Sequence, residues 1–327
     1  SGTSNPIPSM VLNNTAANPG VLTYSITPSY LACAGTTLPI NIQVNPSPVV
    51  TYSIPTQTIC SGSNAANVSV SSTTPNTQFN WTISLPAGIQ STGLVLGGVG
   101  NLIPAQVFVN TSTTPQTITY SVIASTANGT SCNGAVSTAT VIVNPLPSLS
   151  VVPQLGTICS GTSAVINITS NLLNTSFAYS ATGSTGVTGF ANGNGAVISQ
   201  VLVNSTATIQ YVDYVITPTV VLSGFSCVGN PITQRIYIQP SAIVTFSAPD
   251  QTICSQQSTS AVTLNSTTAG VSFNWTATPP FGLSGASTSG SNTIPVQTLV
   301  NNTLTPLTIN YLATATIGGC VGNIATY

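Results

Sequence analysis

The seven cysteines fall at positions 33, 60, 132, 159, 227, 254 and 320, so a constant gap of 27 residues alternates with gaps of 72, 68 and 66. A fixed internal period is the mark of tandem units, each folding the same way. Other landmarks keep the same phase. Thr-Ile-Cys-Ser recurs at 58–61, 157–160 and 252–255. Some twenty residues later come Phe79-Asn80-Trp81-Thr82, Phe177-Ala178-Tyr179-Ser180 and Phe273-Asn274-Trp275-Thr276. An apolar segment ending in Asn follows at 103–110, 197–204 and 294–301, with a counterpart at 7–14. A Tyr-centred segment comes next, around Tyr24, Tyr120, Tyr214 and Tyr311, and the complete units close with Val44-Asn45-Pro46, Val143-Asn144-Pro145 and Ile238-Gln239-Pro240.

Within one period the pattern is that of β-strands. Ile118, Tyr120 and Val122 alternate with small polar residues, as do Leu22, Tyr24, Ile26 and Val212, Tyr214, Ile216. Period-two alternation of β-branched and aromatic residues marks a half-buried strand. Ala127-Asn128-Gly129 and Asn192-Gly193-Asn194 read as turns between strands. Several short strands in one period, around one central aromatic, predict an all-β tandem array of immunoglobulin-like sandwiches. The boundaries are 1–48 for the C-terminal half of one domain, 49–147 and 148–241 for two complete domains, and 242–327 for a fourth that stops in its last strand. Trp81, Tyr179, Trp275, Tyr24, Tyr120, Tyr214 and Tyr311 are expected in the cores. Prolines at 46, 48, 145 and 147 leave almost no linker and stiffen the junctions, so a rod is expected.

Composition narrows the chemistry. Among 327 residues there is one basic residue, Arg235, and two acidic ones, Asp213 and Asp250, with no His, giving a net charge of -1. General acid–base catalysis, transition-metal sites and calcium sites all draw on groups this chain barely has. Nucleic-acid binding needs a basic surface. No catalytic, metal or cofactor residue is therefore assigned, and no cofactor is expected. No apolar run approaches the length of a membrane-spanning helix. A chain that is 42% hydrophobic with almost no charge is also the opposite of a disordered one. Partners are expected to be neighbouring repeats, other copies in a fibre, or surface glycans or abiotic surfaces. A surface without charge lacks the self-repulsion that keeps copies apart.

Two disulfide schemes fit the spacing. One places a bridge in every domain, Cys60–Cys132, Cys159–Cys227 and Cys254–Cys320, with Cys33 joined to a cysteine upstream of Ser1. The other joins the 27-residue neighbours, 33–60, 132–159 and 227–254, across the boundaries. Spacing alone does not choose between them; the intradomain set is the expectation carried forward, since each repeat then holds its own staple. Either scheme places the protein outside the reducing cytosol.

Thr-Ile-Cys-Ser-Gly at 58–62 and 157–161, the Phe-x-Trp-Thr segment, the Cys-x-Gly steps at Cys132, Cys227 and Cys320, and the closing Val-Asn-Pro-x-Pro together resemble the PKD-like repeats of very large Bacteroidota surface proteins. The resemblance covers essentially the whole chain. It implies type IX secretion, display at the cell surface and a part in adhesion, gliding or extracellular fibres. Tyr179 in place of Trp and the Ile-Gln-Pro closure of the third repeat depart from the pattern without threatening the fold.

The leading expectation is a structural stalk or spacer. The alternatives are a carbohydrate-binding module, which needs exposed planar aromatics, and a self-assembling sheath subunit. Asp213 and Arg235 fall on adjacent strands and are expected to pair across them. Asp250 reads as a turn residue. Sequons at Asn67, Asn80, Asn110, Asn167 and Asn265 are abundant because Asn, Ser and Thr are, and they are not read as glycosylated.

Overall fold

Alternation becomes burial in the strand Thr77–Ser84, where Phe79, Trp81 and Ile83 point inward and the residues between them face solvent. Gln116–Thr126 does the same with Ile118, Tyr120, Val122 and Ala124. The computed structural model describes residues 2–3, 6–90, 93–126, 131–153 and 157–327. The Ala127-Asn128-Gly129 turn lies outside them. Every regular element among the described residues is a β-strand.

The second repeat is a sandwich. Its main sheet has the order Gly97–Val99, Thr77–Ser84, Gln116–Thr126, Ser137–Asn144, Thr56–Cys60. The last pairing is parallel, with Thr56 opposite Thr140 and Cys60 opposite Asn144. Leu102–Ile103, Val68–Ser71 and Thr51–Tyr52 form the facing sheet. Between the sheets lie Trp81, Tyr120, Phe108, Ile103 and Ile118, all buried. The third repeat reproduces this plan. Thr157–Cys159 runs parallel to Ile232–Gln239, which continues through Gln210–Leu222 to Ser176–Gly183. Leu149–Pro153, Thr162–Ser170 and Val197–Asn204 face it. The fourth repeat pairs Ser289–Ser291, Ser272–Ala277 and Tyr311–Ile317, with Ala325–Thr326 along the last. Residues 252–254, equivalent to the parallel strand of the other repeats, form no strand. Residues 1–48 contribute two antiparallel ladders, Gly20–Ile26 with Leu38–Val44 and the short hairpin Ser29–Tyr30 with Cys33–Ala34, most of both exposed.

The chain divides into two compact units. One holds Ser1–Leu146 together with Val220–Cys227; the other holds Pro147–Thr219 with Val228–Tyr327. A short hairpin tip from the third repeat thus belongs to the unit of the second.

The aromatic positions occupy the cores in most repeats. Trp81, Trp275, Tyr120, Tyr214 and Tyr311 are buried, while Tyr179 and Tyr24 are half-buried. Each central aromatic lies over a glycine on the neighbouring strand: Trp81 over Gly98, Tyr179 over Gly193 and Trp275 over Gly290. A side chain there would meet the ring, so the glycine and the flat aromatic are one packing unit.

Asp213 and Arg235 stand opposite each other in the ladder. Arg235 donates from Nε and Nη2 to the two carboxylate oxygens, both at 2.7 Å, and its guanidinium lies 3.7 Å from the centre of the Tyr211 ring. The Arg235 hydrogen bonds hold the Asp213 carboxyl below its ordinary range against a smaller opposing effect of burial. Burial pushes the hydroxyls of Tyr120 and Tyr214 up to about 12. Linkage fixes the signs. The contribution of Asp213 is present above its unfolded-state pKa and is lost as pH falls through the lowered folded value. That of the tyrosines is complete below pH 10 and is lost as pH rises toward 12. Thermal melts of thiol-blocked protein are therefore expected to be flat from about pH 5 to about pH 9 and to drop on either side. A slope through pH 6–7, where no side chain of this sequence titrates, would contradict the assignment.

Candidate functional site: the clasp between repeats

Two disulfides form, and neither is of the intradomain kind. Cys60 bonds Cys227 and Cys159 bonds Cys320, with Cα–Cα separations of 5.6 and 5.5 Å. The expected pairs Cys60–Cys132, Cys159–Cys227 and Cys254–Cys320 are absent, and so are the pairs between 27-residue neighbours. Cys33, Cys132 and Cys254 are free among the described residues.

The strand order supplies the reason. Because the leading strand runs parallel to the closing strand, Cys60 sits level with Asn144 at the closing strand's far end. Cys132 lies twelve residues upstream of Asn144, before that strand begins. At about 3.3 Å per residue the two sulfurs face opposite ends of the sandwich, roughly 40 Å apart. A disulfide spans a Cα–Cα distance of only about 4.4–6.8 Å. Cys159 is likewise level with Gln239, far from Cys227. The leading cysteine of one repeat is instead met by the hairpin cysteine of the next.

That hairpin is built to reach. Its turns are two-residue loops, Ser223-Gly224 and Gly318-Gly319, with all four residues at positive φ. This is the backbone sign pattern of the tight turns that match strand twist. Cys227 and Cys320 follow within a few residues and are buried. On the receiving side stands the polar residue that closes each repeat. Buried Asn144 donates from Nδ2 to the Leu222 carbonyl at 3.4 Å, within the first unit. Gln239 packs against Gly318, within the second, so closely that a side chain at Gly318 would strike its amide. The third repeat's departure to Ile-Gln-Pro therefore keeps the same task with a longer amide.

The Cys-x-Gly step holds the hairpin from its own side. Gly134, Gly229 and Gly322 donate their N–H groups to Ala124, Pro218 and Ala315 at 2.8, 2.9 and 2.8 Å. Their Cα atoms lie against the carbonyls of Pro48, Pro147 and Ala242, on the segment entering the same repeat, and any Cβ would overlap that oxygen. Gly322→Ala is expected to lower stability by about 2 kcal/mol in chemical denaturation, as overpacking against backbone does. Gly319→Ala, with open space around it and only the turn dihedral to strain, serves as the milder comparison.

A second recurrent device escaped sequence reasoning. Asn110, Asn204 and Asn301 end the apolar segments, and each organises the loop that follows. Asn204 donates from Nδ2 to Thr208 O and Ile238 O at 2.8 and 3.0 Å, and its Oδ1 accepts from Thr206 N and Oγ1 at 2.9 and 2.8 Å. Asn110 repeats the set with Thr114, Val143 and Ser112. Asn14 reaches Val44 O in the same way at 2.7 Å. The serine of Thr-Ile-Cys-Ser accepts the Asn backbone N–H, Ser61 from Asn110 and Ser160 from Asn204, each at 2.9 Å. The residue beside each leading cysteine is thus fixed to the asparagine, and through it to the closing strand. The signal was present in sequence as a polar residue in constant phase, followed by x-Ser/Thr-x-Thr.

A PKD-like domain family model matches residues 57–147, 156–242 and 251–327, well over half of the chain. The chain belongs to the PKD-like domain family. No curated protein matches it. Among solved structures the PKD-like array is similar to Dpr2 Ig1-Ig2 in complex with DIP-Theta Ig1-Ig3, at 8% identity and a TM-score of 0.31, covering 85% of this chain and 98% of that one. It is also similar to titin domains A168-A170, at 12% identity and a TM-score of 0.25, covering 85% and 96%. Fibronectin(III)-like modules of CbhA from Clostridium thermocellum match at 10% identity and a TM-score of 0.23, covering 59% and 95%. Similarity this low has no bearing on function. Asp250 lies exposed outside any strand of the PKD-like repeats, and the sequon residues Asn67, Asn80, Asn167 and Asn265 are exposed, whereas Asn110 is buried.

Proposed function

We propose that this chain is a load-bearing spacer of an extracellular or cell-surface protein, in which tandem PKD-like repeats are stitched to one another by disulfides. The observation that carries the reading is the offset of the bridges. Each joins the leading cysteine of one repeat to the hairpin cysteine of the next, and the two covalent loops, 60–227 and 159–320, overlap. Overlapping loops leave no junction between the second and fourth repeats held by a single chain segment. The disulfides also suit an oxidising compartment. Adhesin stalk and extracellular filament are the two settings in which such a spacer works. Burial of Trp81 and Trp275 speaks against the carbohydrate-binding alternative, which would use an indole face in solution. Single-molecule pulling from both ends tests the proposal: a chain that releases all its length with the disulfides intact is not stitched in this way.

A further inference from the structure

The three free cysteines occupy the same positions as bonded ones. Cys254 lies in the third Thr-Ile-Cys-Ser, in phase with Cys60 and Cys159, both of which are bridged to a following hairpin. Cys33 and Cys132 begin Cys-x-Gly steps, in phase with Cys227 and Cys320, both of which are bridged to a preceding leading cysteine. The local shapes match as well. Cys33 follows Tyr24 by nine residues, as Cys320 follows Tyr311. Its hairpin turns through two residues, Leu31 and Ala32, at positive φ, where Gly318 and Gly319 turn the bonded one. Its step glycine, Gly35, donates to Pro28 O at 2.7 Å, the counterpart of the Gly322 bond to Ala315. A left-handed conformation costs a non-glycine residue about 1–2 kcal/mol, yet the turn keeps the shape of the bonded hairpin. At the other end Cys254 is exposed and borders a cavity of about 480 Å³ shared with Ile253, Leu299 and Tyr311.

From this phase and shape we infer that Cys254 is a covalent docking site for the cysteine hairpin of another PKD-like repeat, and that Cys33 lies on such a hairpin; the Cys33 hairpin, supplied on a second molecule, serves as the probe for Cys254. The step balances as thiol–disulfide exchange. The Cys254 thiolate attacks a glutathione disulfide, releasing one glutathione. The Cys33 thiolate then displaces the second glutathione from the mixed disulfide. One Cys254–Cys33 bond forms, two protein thiols are oxidised by two electrons, and two glutathione thiols carry away the protons. The inference rests on the bridge offset and holds whether or not the repeats bear load.

Two variants of the full chain test it. One carries Cys33→Ser and Cys132→Ser and keeps only the Cys254 thiol; the other carries Cys132→Ser and Cys254→Ser and keeps only Cys33. They are mixed with glutathione disulfide and resolved by mass under non-reducing conditions, after intact Cys60–Cys227 and Cys159–Cys320 bridges have been verified in each. The expected product is the mixed dimer, exceeding either self-dimer by about tenfold or more, because docking raises the effective concentration of the correct thiol. A mixed dimer only twice as abundant as each self-dimer, the statistical share of unguided oxidation, would overturn the inference. So would monomers capped by glutathione with no dimer.

Discussion

Pulled apart between Cys60 and Cys320 with its bridges intact, the chain is expected to lengthen to about 250 Å and no further, against about 900 Å after reduction. The limit follows from connectivity. Those two cysteines are separated by 260 residues along the backbone. With Cys60 bonded to Cys227 and Cys159 to Cys320, the shortest covalent route crosses from 60 to 227, runs back through the third repeat to 159, and crosses to 320. Only the 68 residues between Cys159 and Cys227 lie on that route, and an extended chain spans at most about 3.3–3.6 Å per residue. The second and fourth repeats are bypassed, and the third alone extends. Had the bridges been intradomain, each repeat would have locked its own interior and released the stretches between. Intradomain bridges would leave only the two 27-residue stretches 132–159 and 227–254 to extend, a limit of about 190 Å, so a limit of about 250 Å before reductant distinguishes the two.

Asn204→Ala is expected to cost about 4 kcal/mol of stability, more than any other single change of a polar side chain in the third repeat. The amide occupies four hydrogen-bond positions at once and is 3% exposed. Removing it takes the Asn204 partner from the Ile238 carbonyl and the Thr206 N–H and leaves the Thr208 carbonyl only the Thr206 hydroxyl, and each buried unsatisfied group costs about 1–3 kcal/mol. Asn204→Asp is the sharper variant, since it keeps the acceptor and loses both donated bonds. Asn167→Ala, an exposed asparagine on a strand of the same repeat, is expected to change stability by less than about 0.5 kcal/mol. Urea denaturation of the three variants checks the order. Equal losses at 204 and 167 would show that the asparagine is not a structural hub.

The same two features show what sequence could and could not convey. Strands, sandwich and core aromatics follow from alternation, because a pleated strand half-buried in a sandwich leaves a period of two in the residues themselves. The Asp213–Arg235 pair was legible for the same reason, once its two strands were taken as neighbours. The bridge connectivity was not legible. A strict repeat gives every cysteine the same phase, so pairing within a repeat, across a boundary or one repeat onward all produce the same spacings. What decides is that Thr56–Cys60 lies parallel to its neighbour, a non-local pairing that puts Cys60 and Cys132 at opposite ends. Asn110, Asn204 and Asn301 were visible as recurrent strand ends, but in a chain crowded with Asn, Ser and Thr one buried amide looks like many exposed ones. Tyr179 needed the structure too: its fit depends on Gly193 across the sheet, where Gly98 and Gly290 receive the tryptophans.

Thiol mapping decides whether the bridges are offset by one repeat. Monomeric protein is alkylated while denatured but unreduced, then cut with trypsin, for which Arg235 is the single site. The account predicts three alkylated cysteines, Cys33, Cys132 and Cys254, and two tryptic pieces that part only on reduction because Cys159–Cys320 spans the cut. One alkylated cysteine, Cys33, with pieces that separate without reductant, would restore intradomain pairing and contradict the account.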